Sequence, residues 1–186
     1  MDISDTLSVT KREEWRRWLE ENYRMASEIW LVYYRKHTGV PRIPYNHAVE
    51  EALCFGWIDS TVKKIDEDRY AQRFTPRKPR SAYSQANKER LRRLIEQGKV
   101  VPDVLATVRD MVEEPFEFPP DIEAALRANT QAWENFQRYS GAYRRIRVAF
   151  IDSARKRPEE FEKRLRHFIR MTAQDKQYGF GIDEYY

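Results

Sequence analysis

The residues best equipped for chemistry lie between Trp57 and Asn87. Trp57, Asp59, Lys63, Arg73 and Arg77 combine an indole, a carboxylate and three cations, and Asn87 adds a neutral amide. An indole offers a stacking face, and guanidinium forks hold carboxylates or phosphates through paired hydrogen bonds. A carboxylate between two arginines stays ionised, so Asp59 suits orientation better than proton abstraction. Around these residues Lys63, Lys64, Arg69, Arg73, Arg77, Lys78 and Arg80 face only Asp66, Glu67 and Asp68, with Tyr70 and Phe74 interleaved. This pattern fits an anionic small molecule or an acidic protein partner. Nucleic acid is an alternative, but the overall net charge of +4 is modest for that role.

Other chemistry finds little support. His37, His47 and His167 lie far apart with no metal-ligand spacing. Cys54 follows His47 by seven residues, about 10 Å along a helix, too far for an activated thiol; between Leu53 and Phe55 it reads as a small buried hydrophobe. There is no G-x-S-x-G elbow, and six glycines form no phosphate loop. No catalytic residue, metal site or cofactor is therefore expected, with an unrecognised enzyme on the same face as the alternative. Glu50 and Glu51 read as a solvated helix face, as do the arginines of the RRIRVAF run. The single cysteine, the absence of a leading apolar run and the lack of any stretch near 18 apolar residues point to the cytoplasm and to no membrane span.

The elements that must position these groups follow from periodicity. Thr10 and Glu13 have capping-box spacing ahead of a helix at about 10–22 carrying Trp15, Trp18 and Leu19. SEIWLVYYRK predicts a strand over 28–36. Asn46 can cap a helix ended by Gly56. Strands 57–65 and 69–77 flank an Asp66-Glu67-Asp68 turn. That register places Trp57, Asp59, Thr61 and Lys63 on one face with Ala71, Arg73, Thr75 and Arg77, opposite Ile58, Val62, Tyr70 and Phe74. Trp57 then pairs with Arg77.

Ser84 can cap a helix stopped by Gly98, with Asn87 near its start. A weaker helix spans 102–113, and Glu114 to Pro120 is a proline-rich linker. Helices at 121–128, 130–137, 140–156 and 158–172 complete the chain, with no assignment for the tail. The expected fold class is α+β. A small antiparallel sheet with N-terminal helices precedes a C-terminal helical bundle, in one domain with parts at about 1–98 and 119–173.

The run from Tyr45 through Gly56-Trp57-Ile58-Asp59-Ser60, then Tyr70, Phe74, Pro76-Arg77, Ser84 and Asn87, resembles the YdeI or OmpD-associated family, often labelled bacteriocin-protection proteins. Residues from Pro119 onward are similar to that family's helical part, with Pro-Pro-Asp, Ala-Trp-x-x-Phe and Tyr-Arg-Arg runs. Tyr83 stands where members commonly have Trp. The resemblance implies an α+β protein without established catalysis, linked to envelope stress or protection, and it supplies no catalytic residues.

Overall fold

The computed structural model describes residues 3–79 and 81–186; Arg80, counted above among the hairpin's cations, lies outside the described residues. The chain forms two compact units. One comprises Met1–Ala82 and Arg90–Asp110; the other comprises Tyr83–Glu89 and Met111–Tyr186. The fold is α+β.

The first unit is built on four strands, β1 (Thr6–Leu7), β2 (Ile29–Tyr34), β3 (Trp57–Lys64) and β4 (Arg69–Pro76), ordered β1-β2-β4-β3. The β3–β4 and β2–β4 pairs are antiparallel as expected, while the two-residue β1 joins β2 in parallel. Two helices, α1 (Arg12–Asn22) and α2 (Tyr45–Cys54), pack on one sheet face. The contact is aromatic. Trp15 meets Phe74 at 5.4 Å and stacks on Trp18 at 5.3 Å, and its indole N–H donates to the Ala48 carbonyl at 3.0 Å. At the start of α1 the carboxylate of Glu14, not Glu13, accepts from the amides of Thr10 and Lys11. Those two bonds hold its pKa below the usual range. Gly56 ends α2 with φ +70°, a conformation a side chain resists.

The Asp66–Asp68 turn forms as the sequence predicts. The Asp66 carboxylate accepts from the amides of Asp68 and Arg69 at 3.0 and 2.7 Å. From there Lys64, Lys63 and Val62 pair with Tyr70, Ala71 and Gln72, in the expected register. Between Asp59 and Val62 the register shifts: Asp59 pairs with Phe74, Ile58 with Thr75 and Trp57 with Pro76. Ser60 and Thr61 together oppose Arg73, a β-bulge with one extra residue. Past it every β3 side chain swaps faces. Trp57 and Asp59 thus join Phe74 on the helix-covered side, Ile58 moves to the other, and Trp57 does not pair with Arg77. Burying an indole of 150–250 Å² is worth roughly 4–6 kcal/mol, far more than one unpaired ladder position costs, so the core sets the phase here and the turn does not.

Helix α3 (Gln85–Glu96) and α4 (Pro102–Glu113) each run from one unit into the other. The second unit otherwise consists of α5 (Pro120–Arg127), α6 (Thr130–Arg138), α7 (Gly141–Asp152) and α8 (Pro158–Ala173). The hydroxyls of Ser84 and Ser140 cap α3 and α7 by accepting the amides of Asn87 and Tyr143. The core joins Ile122, Leu126, Phe136, Tyr143, Ile151 and Phe168, and the Glu114–Pro120 linker packs Phe116 and Phe118 against it. The tail, unassigned from sequence, is tied down. The Tyr143 hydroxyl donates to the Tyr178 carbonyl and accepts its amide, and Ser140 donates to the Tyr185 carbonyl.

Candidate functional site: a pocket around Arg147

The groups expected on one hairpin face are divided. Trp57, 1% exposed, faces the core, donates its indole N–H to the Tyr23 carbonyl at 3.1 Å and meets Trp18 edge-on at 5.7 Å. Asp59 accepts from the Tyr45 hydroxyl at 2.9 Å on the same side. Only Lys63 and Arg73 share the outer face. Lys63 Nζ sits 5.6 Å from the ring centre of Trp30, the cross-strand partner of Arg73. Arg73 is neutralised: its Nε donates to Glu28 Oε2 at 2.8 Å. Hydrogen bonds from Ser4, Arg73 and Trp30 hold the Glu28 carboxyl down to about 2. Arg77 lies beyond β4, where its amide donates to the Gly56 carbonyl and its guanidinium to that of Ala82. Asn87 sits in the first turn of α3, within the second unit. The hairpin therefore presents no cluster of indole, carboxylate and paired guanidiniums.

Two acids read as solvated are buried. Glu50 and Glu51 of α2 are 5% and 1% exposed. Arg12 pairs with Glu50 at 2.7 Å and with Glu51, Arg16 reaches Glu51 at 2.8 Å, and Arg93 binds Glu50. A carboxylate this deep demands such partners. Cys54 lies beside them, and burial pushes its thiol up to about 12, with Glu51 adding to the effect. It is an inert core residue, as read from sequence.

The helical unit carries a candidate site of a different kind. A concave pocket of about 670 Å³ opens between the start of α3, the Ile146–Ser153 stretch of α7 and the Tyr178–Ile182 tail. Its walls are largely apolar, with Ile146, Phe150, Phe180 and Ile182 prominent. In the wall sits Arg147, only 6% exposed. Its guanidinium carbon lies 4.0 Å from the ring centre of Tyr178, 4.9 Å from Phe150 and 5.9 Å from Phe168. Among the described residues it forms no ion pair, and its buried Nε has no hydrogen-bond partner. The other cation of the pocket, Lys88, is matched by Glu114 at 3.5 Å. Burial raises the Tyr178 phenol pKa while Arg147 pulls it down, and burial lowers that of His167, whose ring meets Tyr178 at 4.8 Å.

Sequence reasoning placed Arg147 on a solvated face. The available signal was its spacing: Tyr143, Ile146, Arg147 and Phe150 stand at i, i+3, i+4 and i+7, so the arginine occupies the apolar stripe itself. The contribution of the tail carried no signal, since the tail has no periodicity.

No group of three or more His, Cys, Asp or Glu side chains among the described residues is placed to hold a metal ion. No helix among them is long and apolar enough to cross a membrane.

Fold and pocket together define an α+β protein whose helical unit carries an open, small-molecule-sized pocket with a buried cation in its wall. The chain belongs to the family of the domain of unknown function DUF8412, whose model matches residues 7–107. Residues 115–175 match the model of the bacteriocin-protection, YdeI or OmpD-associated family, so the resemblance read from sequence holds in the helical half. The Gly56–Asp59 block that also suggested it falls within the first match. No curated protein and no solved structure shows significant similarity to the chain.

Proposed function

We propose that this protein is a cytoplasmic, non-catalytic binding protein for a small amphipathic anion. The ligand is held in the pocket of the helical unit, not on the hairpin. One observation carries the reading: Arg147 is buried without a counter-charge in a largely apolar wall. A guanidinium does not shed its proton to escape burial, and leaving one unpaired costs several kcal/mol. Three aromatic rings offset part of this, at about 0.5–2 kcal/mol for each cation–π contact. The Tyr178 hydroxyl also interacts with the guanidinium, but it carries no charge and leaves Nε without an acceptor. An anion entering the pocket would provide both charge and acceptors, while its apolar part covers Ile146, Phe150 and Ile182. The volume lies within the range of ligand pockets. The bacteriocin-protection label of the family matched by residues 115–175 is compatible with sequestering or sensing such a compound.

Titration with anilinonaphthalene sulfonate, an apolar aromatic anion that fluoresces when shielded from water, tests this. Saturable enhancement at one dye per chain is expected, and it should vanish in Arg147→Met. An unchanged titration in that variant would refute the reading.

A further inference from the structure

The pocket supplies one uncompensated full positive charge, and this restricts what it can accept. We infer that the ligand is a monocarboxylate with an apolar body. Its carboxylate is bound by the N–H fork of Arg147 and its body lies along α7 and the tail. This rests on the reading of the pocket as an anion site and makes that reading chemically specific.

The count of donors and charges carries the argument. Lys88 is matched by Glu114, and the Ser84 hydroxyl accepts the Asn87 amide in capping α3. Gln85 donates its amide to Glu89 at 2.8 Å. Arg147 alone among the described pocket cations has no acid, with its Nε orphaned. A planar carboxylate carries one charge and two coplanar acceptors, the complement of a guanidinium fork. A phosphate monoester carries about −1.5 to −2 near neutral pH. Its excess charge would be buried against Ile146, Phe150 and Ile182 with nothing to match it.

The tail sets the depth of the site. A side chain on Gly179 would place its Cβ 3.4 Å from Arg147 Nη1 and 2.5 Å from Ile182 Cδ1. The clash would fall on Ile182, so a bare Gly179 lets the tail pack on itself while its backbone passes beside the guanidinium. Phe180, 89% exposed, stands at the rim between Gly179 and Gly181, both with positive φ.

Calorimetric titration of the full chain with octanoate, octyl phosphate and octanol separates the possibilities. Octanoate should bind once per chain, about tenfold or more tighter than the other two. Arg147→Lys, which keeps the charge but loses the fork, should weaken octanoate about tenfold with cooperative melting retained. Octyl phosphate binding as tightly as octanoate would overturn the monocarboxylate and leave the anion pocket standing. Octanol binding as tightly as octanoate, or no binding by any of the three at millimolar concentration, would overturn both. Equal octanoate affinity in wild type and Arg147→Lys would remove the fork from the argument.

Discussion

The two units bury charge in opposite ways. In the sheet unit, Glu50 and Glu51 lie in the interior, and each carboxylate is met by two arginines drawn from Arg12, Arg16 and Arg93. In the helical unit, Arg147 is as deeply buried and has no acid beside it among the described residues. The first arrangement meets charge with charge, with only Arg12 Nη2 of its network lacking a hydrogen-bond partner among the described atoms, and serves the fold. The second is incomplete in a place where a cavity gives access, and the proposed ligand site rests on that incompleteness.

Breaking the matched network should produce the largest effect. Glu51→Gln breaks a buried carboxylate's pairs with Arg12 and Arg16, leaving them Glu50 and Glu20, and should cost about 3–5 kcal/mol in urea denaturation. Trp57→Ala should approach it, at roughly 3–5 kcal/mol, because the indole is core and not binding surface. It should leave octanoate affinity unchanged, and a lost affinity would return the hairpin to consideration. Arg147→Met should do the reverse of Glu51→Gln. Removing a lone buried charge should leave stability unchanged or raise it by roughly 1–3 kcal/mol, visible as a higher thermal midpoint, while ligand binding disappears. A destabilised Arg147→Met would mean that this charge is structural after all.

The smallest effect is an acid limb. Glu28 is ionised in the folded state down to about 2, below its ordinary value of 4.5. Its contribution is therefore complete above about 4.5 and fades as pH falls towards 2. Glu28→Gln should flatten that part of the stability profile and change nothing above it.

Much of the architecture was legible because it depends on local pattern. Asp66–Asp68 fixed the turn, Ser84 and Ser140 marked helix starts, and the apolar spacing of α7 and α8 placed them in a core. The candidate site was not legible, for a physical reason at each point. Alternation along β3 is interrupted at Ser60 and Thr61 because Trp57 must meet the core, a demand that arises from α1 and cannot be read from the hairpin. Charge was taken as a sign of exposure at Glu50, Glu51 and Arg147. It fails as that sign wherever a partner, or a cavity, lies across the interior. The tail is held beside the pocket by bonds between its backbone and the hydroxyls of Tyr143 and Ser140, which no periodicity in the tail announces.

The extra residue in β3 has a consequence for change by insertion or deletion. Excising Ser60 alone would put the ribbon back into the phase its turn dictates, and the same composition would then show water an indole and hide an isoleucine. A one-residue gap there would act on this sheet as a frameshift acts on a gene, altering every position on one side while leaving the letters intact.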